Sequence, residues 1–225
     1  MTRGDIKQIA RKKLGETTAV FFTDEDLNLW ITEAQIDVVW NTRCKRQRTL
    51  CTTTADTLRY TLTQLLPNVL RLITVRIYSS QLDKWRRLYE KDYDFLDDRY
   101  PQWMSYDAAT PLYYIYDREI DELILFPKCQ SDYVGVNYLE VYNSPLPIVL
   151  TQDAETPAPD IPIQLHPALV EYVVATGLEA RGYQDIADNH WVKYQQKWTG
   201  YMTQREIEED EEICMRGGRG PERGY

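Results

Sequence analysis

The sequence predicts an α+β protein. N- and C-terminal helices form one bundle, a β-rich module is inserted between them, and an extended C-terminal arm follows. Three observations predict this. Apolar residues recur at steps of three and four before residue 45 and again after residue 165, whereas the stretch between alternates with a period of two. Helices at both ends must bury their apolar faces, and the simplest partner for each set is the other. The last residues, CMRGGRGPERGY, are too rich in glycine for regular structure. The expected divisions are 1–48 with 160–208 for the bundle, 49–150 for the β-rich module, 151–164 for a proline-rich connector and 209–225 for the flexible arm.

In chain order, Ile6, Ile9, Ala10 and Leu14 make a short amphipathic helix that stops near Gly15. A longer helix follows within FTDEDLNLWITEAQIDVVW. Thr23 is suited to N-cap it, and Asp24, Glu25 and Asp26 place carboxylates at the positive end of its dipole. Phe22 and Leu27 stand at the positions of a hydrophobic staple. Leu27, Trp30, Ile31, Ala34 and Val38 form one stripe, with Leu29, Ile36, Val39 and Trp40 outside it. A helix apolar on more than one side is buried on several sides. It either lies at the centre of its own domain or packs on another subunit. The basic cluster Arg43, Lys45, Arg46 and Arg48 suits the negative end of this helix better than it suits nucleic acid.

From about Thr49 the pattern is that of strands. VLRLITVRIY places Val69, Arg71, Ile73, Val75 and Ile77 on one side, and WRRLYE, LYYIYD, ELILFP and YVGVNYLEVY continue the series. KDYDFLDDRYPQWMS interrupts with one short helix. Six to eight short strands are expected. Prolines at 145, 147, 157, 159 and 162 then mark an extended connector. Helical periodicity returns with Leu165, Leu169, Tyr172, Val173 and Thr176. A last helix from about Gln184 carries Ala187, Trp191, Tyr194 and Trp198, and extends past Met202 into REIEEDEEI. Trp30, Ala34, Val38, Leu169, Val173 and Trp191 are the expected core or interface of the subunit.

Composition narrows the function. A net charge of −9 does not suit a protein that coats DNA. No apolar run is long enough to cross a membrane, and the N-terminus lacks the apolar region of a signal peptide. Cys44, Cys51, Cys129 and Cys214 are scattered and are expected as free thiols. Neither His166, which caps a helix or is solvated, nor His190 has companions at metal-ligand spacing. Asp92, Asp94, Asp97 and Asp98 lack the pattern of a calcium loop and suit a solvated acidic loop. No phosphate loop, nucleophile motif or catalytic constellation is present, so neither an enzyme nor a cofactor is expected. RGGRG resembles a single unit of the segments found in RNA-binding proteins. Three readings of the tail stand: a disordered end, an RNA-binding element, or an arm in which Arg216, Gly217, Gly218, Arg219, Arg223 and Tyr225 order against a partner.

The order of elements, with FTDEDLNLWITEAQIDVVWNTRC near the start and DIPIQLHPALVEYVVATGLE before the last helix, resembles the head-to-tail adaptor (connector) proteins of tailed double-stranded DNA bacteriophages, including tail tubular protein A of short-tailed phages. The resemblance covers roughly residues 5–205. It implies a structural virion protein without catalytic activity. Such a protein forms a homo-oligomeric ring, dodecameric in this family, that joins the portal protein to a nozzle or next tail protein and continues the DNA channel. It implies a place in the virion neck after assembly in the host cytoplasm, and a C-terminal segment that docks on the portal. Double-stranded DNA would pass without specific binding, which an acidic lumen favours. A tail-completion or nozzle protein, or an RNA-binding accessory protein using the RGG-like tail, are the alternatives.

Overall fold

The computed structural model describes residues 1–16, 21–147 and 158–216, the stretch from 207 to 216 by backbone alone. The chain divides into two compact units, a helical unit of Met1–Cys44 with Pro147–Tyr225 and a β unit of Lys45–Leu146. Together they make the helix–strand–helix order of an α+β protein.

The first two helices, α1 (Arg3–Lys13) and α2 (Asp24–Thr42), begin in the same way. Thr2 and Thr23 each accept a hydrogen bond from the backbone N–H three residues on, at 3.1 Å. Asp5 and Asp26 return the contact to the cap residue's own N–H at 2.8 Å. Both are capping boxes with aspartate in the place of glutamate. α1 stops at Leu14, followed by Gly15 at φ +73°, a left-handed position that glycine occupies without strain. α2 ends at Thr42, with Arg43 itself in the left-handed cap. The basic cluster therefore lies beyond α2 rather than in its last turn. Phe22 meets the edge of Trp30 at 5.0 Å.

The β unit contains β1 (Gln47–Thr53), β2 (Arg59–Thr61), a single turn α3 (Leu62–Leu65), β3 (Val69–Ser79), β4 (Lys84–Arg87), β5 (Tyr89–Glu90), α4 (Tyr93–Arg99), β6 (Tyr113–Asp117), β7 (Glu122–Phe126) and β8 (Gly135–Pro145). They form two four-stranded sheets, ordered β1-β8-β3-β4 and β2-β7-β6-β5. All pairs are antiparallel except β5 with β6. The two sheets share one core, to which Val75, Ile77, Leu139 and Val141 come from the first and Tyr114, Leu123 and Leu125 from the second. The alternate residues Ile115, Ile124 and Phe126 face the other way, where Leu96 of α4 and Trp103 cover them. That is why ELILF is apolar at four successive positions: β7 is buried on both faces.

β3 departs from the simple alternation read from the sequence. Its pairing with β8 slips between Val69 and Arg71 and again between Leu72 and Thr74. Each slip inserts a residue and reverses the side-chain parity. The residues that reach the shared core are Val69, Leu72, Val75 and Ile77, at steps of three, three and two. Arg71 and Ile73 do not share that face. The acidic loop is also more than a solvated run. Asp92 caps α4 by accepting from Phe95 N–H at 2.9 Å, and Asp97 accepts from the Trp103 indole at 2.7 Å.

The helical unit is completed by α5 (His166–Ala180) and α6 (Gln184–Arg216). α5 is the central helix and packs on α1, α2 and α6. Leu169, Val170, Val173 and Val174 of α5 are buried with Ile6 and Ala10 of α1, Leu27, Ile31, Ala34 and Val38 of α2, and Ala187 of α6. His166 is not solvated. It is 3% exposed and its Nε2 lies 3.2 Å from the Ile161 carbonyl. α6 continues through residues 209–216, a stretch assigned to the arm on sequence grounds. Gly217, Gly218, Arg219, Arg223 and Tyr225 of the expected arm lie outside the described residues, as do 151–157 of the connector.

Candidate assembly surface

α2 answers the problem set by its two apolar sides. Leu27, Ile31, Ala34, Val38 and Val39 are fully buried in the helical unit. Val39 therefore belongs to the core, although it falls outside the first stripe. Leu29 is 57% exposed, Trp40 is 43% exposed, and Ile36 is half-buried. At 100° per residue, these three fall within an arc of about 40°. They make a second stripe along the outside of α2. Of the six residues expected at the core or interface, Ala34, Val38, Leu169 and Val173 are fully buried, and Trp30 and Trp191 are half-buried.

A chain of charges fixes α2 to its neighbours. Arg11 pairs with Asp24 at 2.7 Å and with Glu16 at 3.2 Å, and Glu16 pairs with Arg181 at 2.7 Å. Lys7 reaches the other oxygen of Asp24 at 3.1 Å. Arg181 also donates to the Leu14 carbonyl at 2.8 Å and lies over the Phe21 ring at 4.1 Å. Arg11 and Lys7 hold the Asp24 carboxyl below the ordinary carboxylate range. Glu16 is 4% exposed, so the two guanidiniums are what make its burial tolerable. A second group joins α1, α5 and α6, in which Glu171 takes Lys13 Nζ and His190 Nδ1, each at 2.7 Å. Burial alone raises the Glu171 carboxyl, but the hydrogen bonds from Lys13 and His190 bring it below its ordinary value. These residues were not found in the sequence as a group, because they are brought together from positions 7 to 190.

Between α2 and α6, over Tyr172 of α5, runs a groove of about 430 Å³. Its aromatic wall is Tyr172, Trp191 and Tyr194, with ring centroids 5.0, 5.4 and 5.9 Å apart in edge-to-face arrangements. Trp198 continues the wall one turn on. The opposite side is Asp37 and Asn41 of α2. The Tyr194 hydroxyl donates to Asp37, and the Asn41 amide donates to the same carboxylate oxygen at 3.0 Å. Burial, and then the Asp37 hydrogen bond, push the Tyr194 phenol well above its usual range. Trp191 Nε1 donates to Glu179 at 2.6 Å. The 191, 194, 198 spacing is visible in the sequence, but its pairing with Asp37 and Asn41 is not.

Among the described residues, no three His, Cys, Asp or Glu side chains are placed to hold a metal ion. No helix among them is long and apolar enough to cross a membrane. Cys51 and Cys129 are buried free thiols, and burial pushes both up to about 11, far from a reactive thiolate. What remains is a helical surface with an apolar stripe and an aromatic groove. The family model for SU10 adaptor protein matches residues 1–216. The chain belongs to the SU10 adaptor protein family. It is a structural adaptor protein of a bacteriophage. Adaptors of this family imply portal and tail partners and a place in the virion neck. No curated protein matches the chain.

Proposed function

We propose that this adaptor assembles as a homo-oligomeric ring of twelve copies between the portal and the next tail protein, and that the ring continues the channel through which double-stranded DNA leaves the head. The observation that carries this reading is the outward stripe of Leu29, Ile36 and Trp40 on α2. A subunit in a ring has two lateral neighbours, and a helix that serves its own core on one side can serve a neighbour on the other. The stripe is aligned along a helix rather than scattered, which is the arrangement that marks an interaction surface. The net charge of −9 fits a channel through which phosphates slide.

The test is to mix the purified protein with purified portal and examine the product by electron microscopy and sedimentation. A ring seated on the portal vertex is expected. The lone protein sediments as a monomer if its lateral contacts need the portal as a template. A protein that neither oligomerises nor binds portal removes the reading. A ring found only at the far end of the tail would make the chain a nozzle or tail-completion protein.

A further inference from the structure

We infer that the outer line of α2 docks on a second copy of this chain, against the face of its first sheet that is turned away from the shared core, a pairing that rests on the ring reading and supplies the partner of the stripe. Contacts that close a ring join unlike surfaces, whereas a patch that binds its own copy stops at a dimer. The stripe of Leu29, Ile36 and Trp40 therefore needs a different surface to receive it. Side chains alternate across a strand, so the register fixes which residues share the outward face of the sheet. Val75, Ile77, Leu139 and Val141 point into the shared core. Arg76, Tyr78 and Glu140, which alternate with them, point away. Leu50 of β1 and Arg76 of β3 stand on either side of Glu140, and Arg87 of β4 is directly opposite Arg76.

This face is aromatic and basic. The Tyr78 ring meets Trp85 at 5.5 Å and Tyr138 at 5.0 Å, and Arg76 lies over the Tyr142 ring at 5.5 Å. Arg48 and Arg76 both pair with Glu140, which is 2% exposed. Three guanidiniums against one carboxylate leave the face positive, on a chain whose net charge is −9. At the β3–β4 turn Asp83 takes the Tyr78 hydroxyl, and Lys84 follows it, so that end adds no net charge. Arg48, Arg76, Arg87 and Leu50 are exposed, and the four rings are half-buried. The outer line of α2 is the complement. Glu25 and Glu33 are both exposed and flank the arc of Leu29, Ile36 and Trp40, each about 20° beyond one of its edges. An apolar row between carboxylates thus matches aromatic rings among guanidiniums, and Tyr, Trp and Arg are the residues that interfaces favour. Three inter-strand spacings make the face about 14 Å across, room for one helix of about 10–12 Å. Duplex DNA would satisfy the arginines but leave the rings and Leu50 without apolar cover.

The test is an exchange of charge, read as rings formed on purified portal by electron microscopy. Glu25→Lys with Glu33→Lys reverses the α2 line. Arg87→Glu reverses the sheet, and it turns a like-charge pair with Arg76 into an attractive one, so melting should not fall. Each variant alone should give at least about tenfold fewer rings than the parent, because like charges then meet at every lateral contact. All three substitutions in one chain should restore the rings. So should an equal mixture of the α2 variant and the sheet variant. Alternating copies then bring the introduced lysines to the introduced glutamate at one contact, and Glu25 and Glu33 to Arg87 at the next. A contact within one chain would gain nothing from the mixture. Arg87→Gln, which should weaken assembly less, decides the part of the sheet should Arg87→Glu fail to fold. Rings from Arg87→Glu as numerous as the parent's, or a mixture that does not recover, overturn the proposal and leave the ring reading standing. Normal rings with weaker retention of duplex DNA on filters would give the face to phosphates instead. A parent protein that forms no ring on portal removes both the ring and this contact.

Discussion

The helical unit and the β unit expose large apolar side chains in comparable measure but arrange them differently. In the β unit they sit mainly in turns and loops, such as Leu82 between β3 and β4, Ile120 between β6 and β7, and Met104 and Leu112 in the long connection before β6. Single exposed residues of that kind need no partner. The strands pack on two cores, one between the sheets and one under α4, and of large apolar side chains expose only Leu50 of β1, Tyr89 of β5 and Val136 of β8, each on a different strand. In the helical unit Ile9, Phe21, Ile163, Tyr183, Ile186 and Val192 are exposed at separate places, but Leu29 and Trp40 fall with half-buried Ile36 on one line of one helix. The number of exposed apolar residues says little about association; their alignment on a rigid element says more.

The largest expected effects test whether the two units are independent. Leu169 and Leu123 are both fully buried, one at the centre of each unit. Replacing either by alanine should cost about 2–5 kcal/mol. In calorimetry, Leu169→Ala should lower one transition and Leu123→Ala the other. A single transition moved equally by both would merge the units and break the comparison. Trp30, half-buried against Phe22, is an intermediate case. Trp30→Ala should cost about 2 kcal/mol, below the range for a fully buried tryptophan, and only in the helical transition.

Acid should sharpen the contrast. The carboxyls held below their ordinary values are Asp5, Asp24, Asp26 and Glu171, all in the helical unit. His166, in the same unit, is lowered by burial from its usual 6.5. Each of these groups takes up a proton more readily in the unfolded chain than in the folded one. Stability therefore falls as pH falls, first through His166 below 6.5 and then more steeply below 4.5, the ordinary value of the Glu171 carboxyl. Melting followed as a function of pH should show the helical transition dropping on the acid side by more than the β transition does. Equal losses in both units would mean that the ion pairs around Glu171 and Asp24 contribute nothing special.

The same division governs how much could be read from the sequence. Thr23 as a cap, Gly15 as a stop and the helical stripes depend on neighbours within a few residues, so they were legible. β3 was legible only in part. Its two slips against β8 reverse parity twice, so the alternation gave Val69, Val75 and Ile77 correctly and missed Leu72 between them. Burial of His166 was hidden because its partner carbonyl, Ile161, lies in the proline-rich approach to α5. The ion-pair chain from Arg11 through Glu16 to Arg181 was also hidden, since nothing local tells a charged residue that its partner is 165 positions away. The candidate surface was half visible. The second apolar side of α2 was plain, but only packing against α5 shows that Val39 belongs to the core and Leu29, Ile36 and Trp40 to the outside.

The smallest expected change in subunit stability comes with the most specific loss. Leu29→Glu combined with Ile36→Glu places two charges on the outer line of α2. Leu29 is already 57% exposed, so little buried area is lost there. Glutamate is also a good helix former, and it replaces an isoleucine whose β-branch is slightly unfavourable in a helix. At exposed Leu29 the change should alter the melting of the isolated subunit by no more than about 0.5 kcal/mol, and at half-buried Ile36 by about 1 kcal/mol. Its effect on a lateral contact would be large. A carboxylate pressed into an apolar interface must be desolvated without a partner, at a cost of several kcal/mol in each contact. In a closed ring that cost recurs at every lateral contact. The double variant should therefore fold, melt only slightly below the parent, and fail to form rings on the portal, as seen by electron microscopy. The control is Leu82→Glu with Ile120→Glu in the turns of the β unit, which should leave both melting and assembly unchanged. Rings formed equally well by the α2 variant would show that the aligned stripe is no more an interface than the scattered residues are.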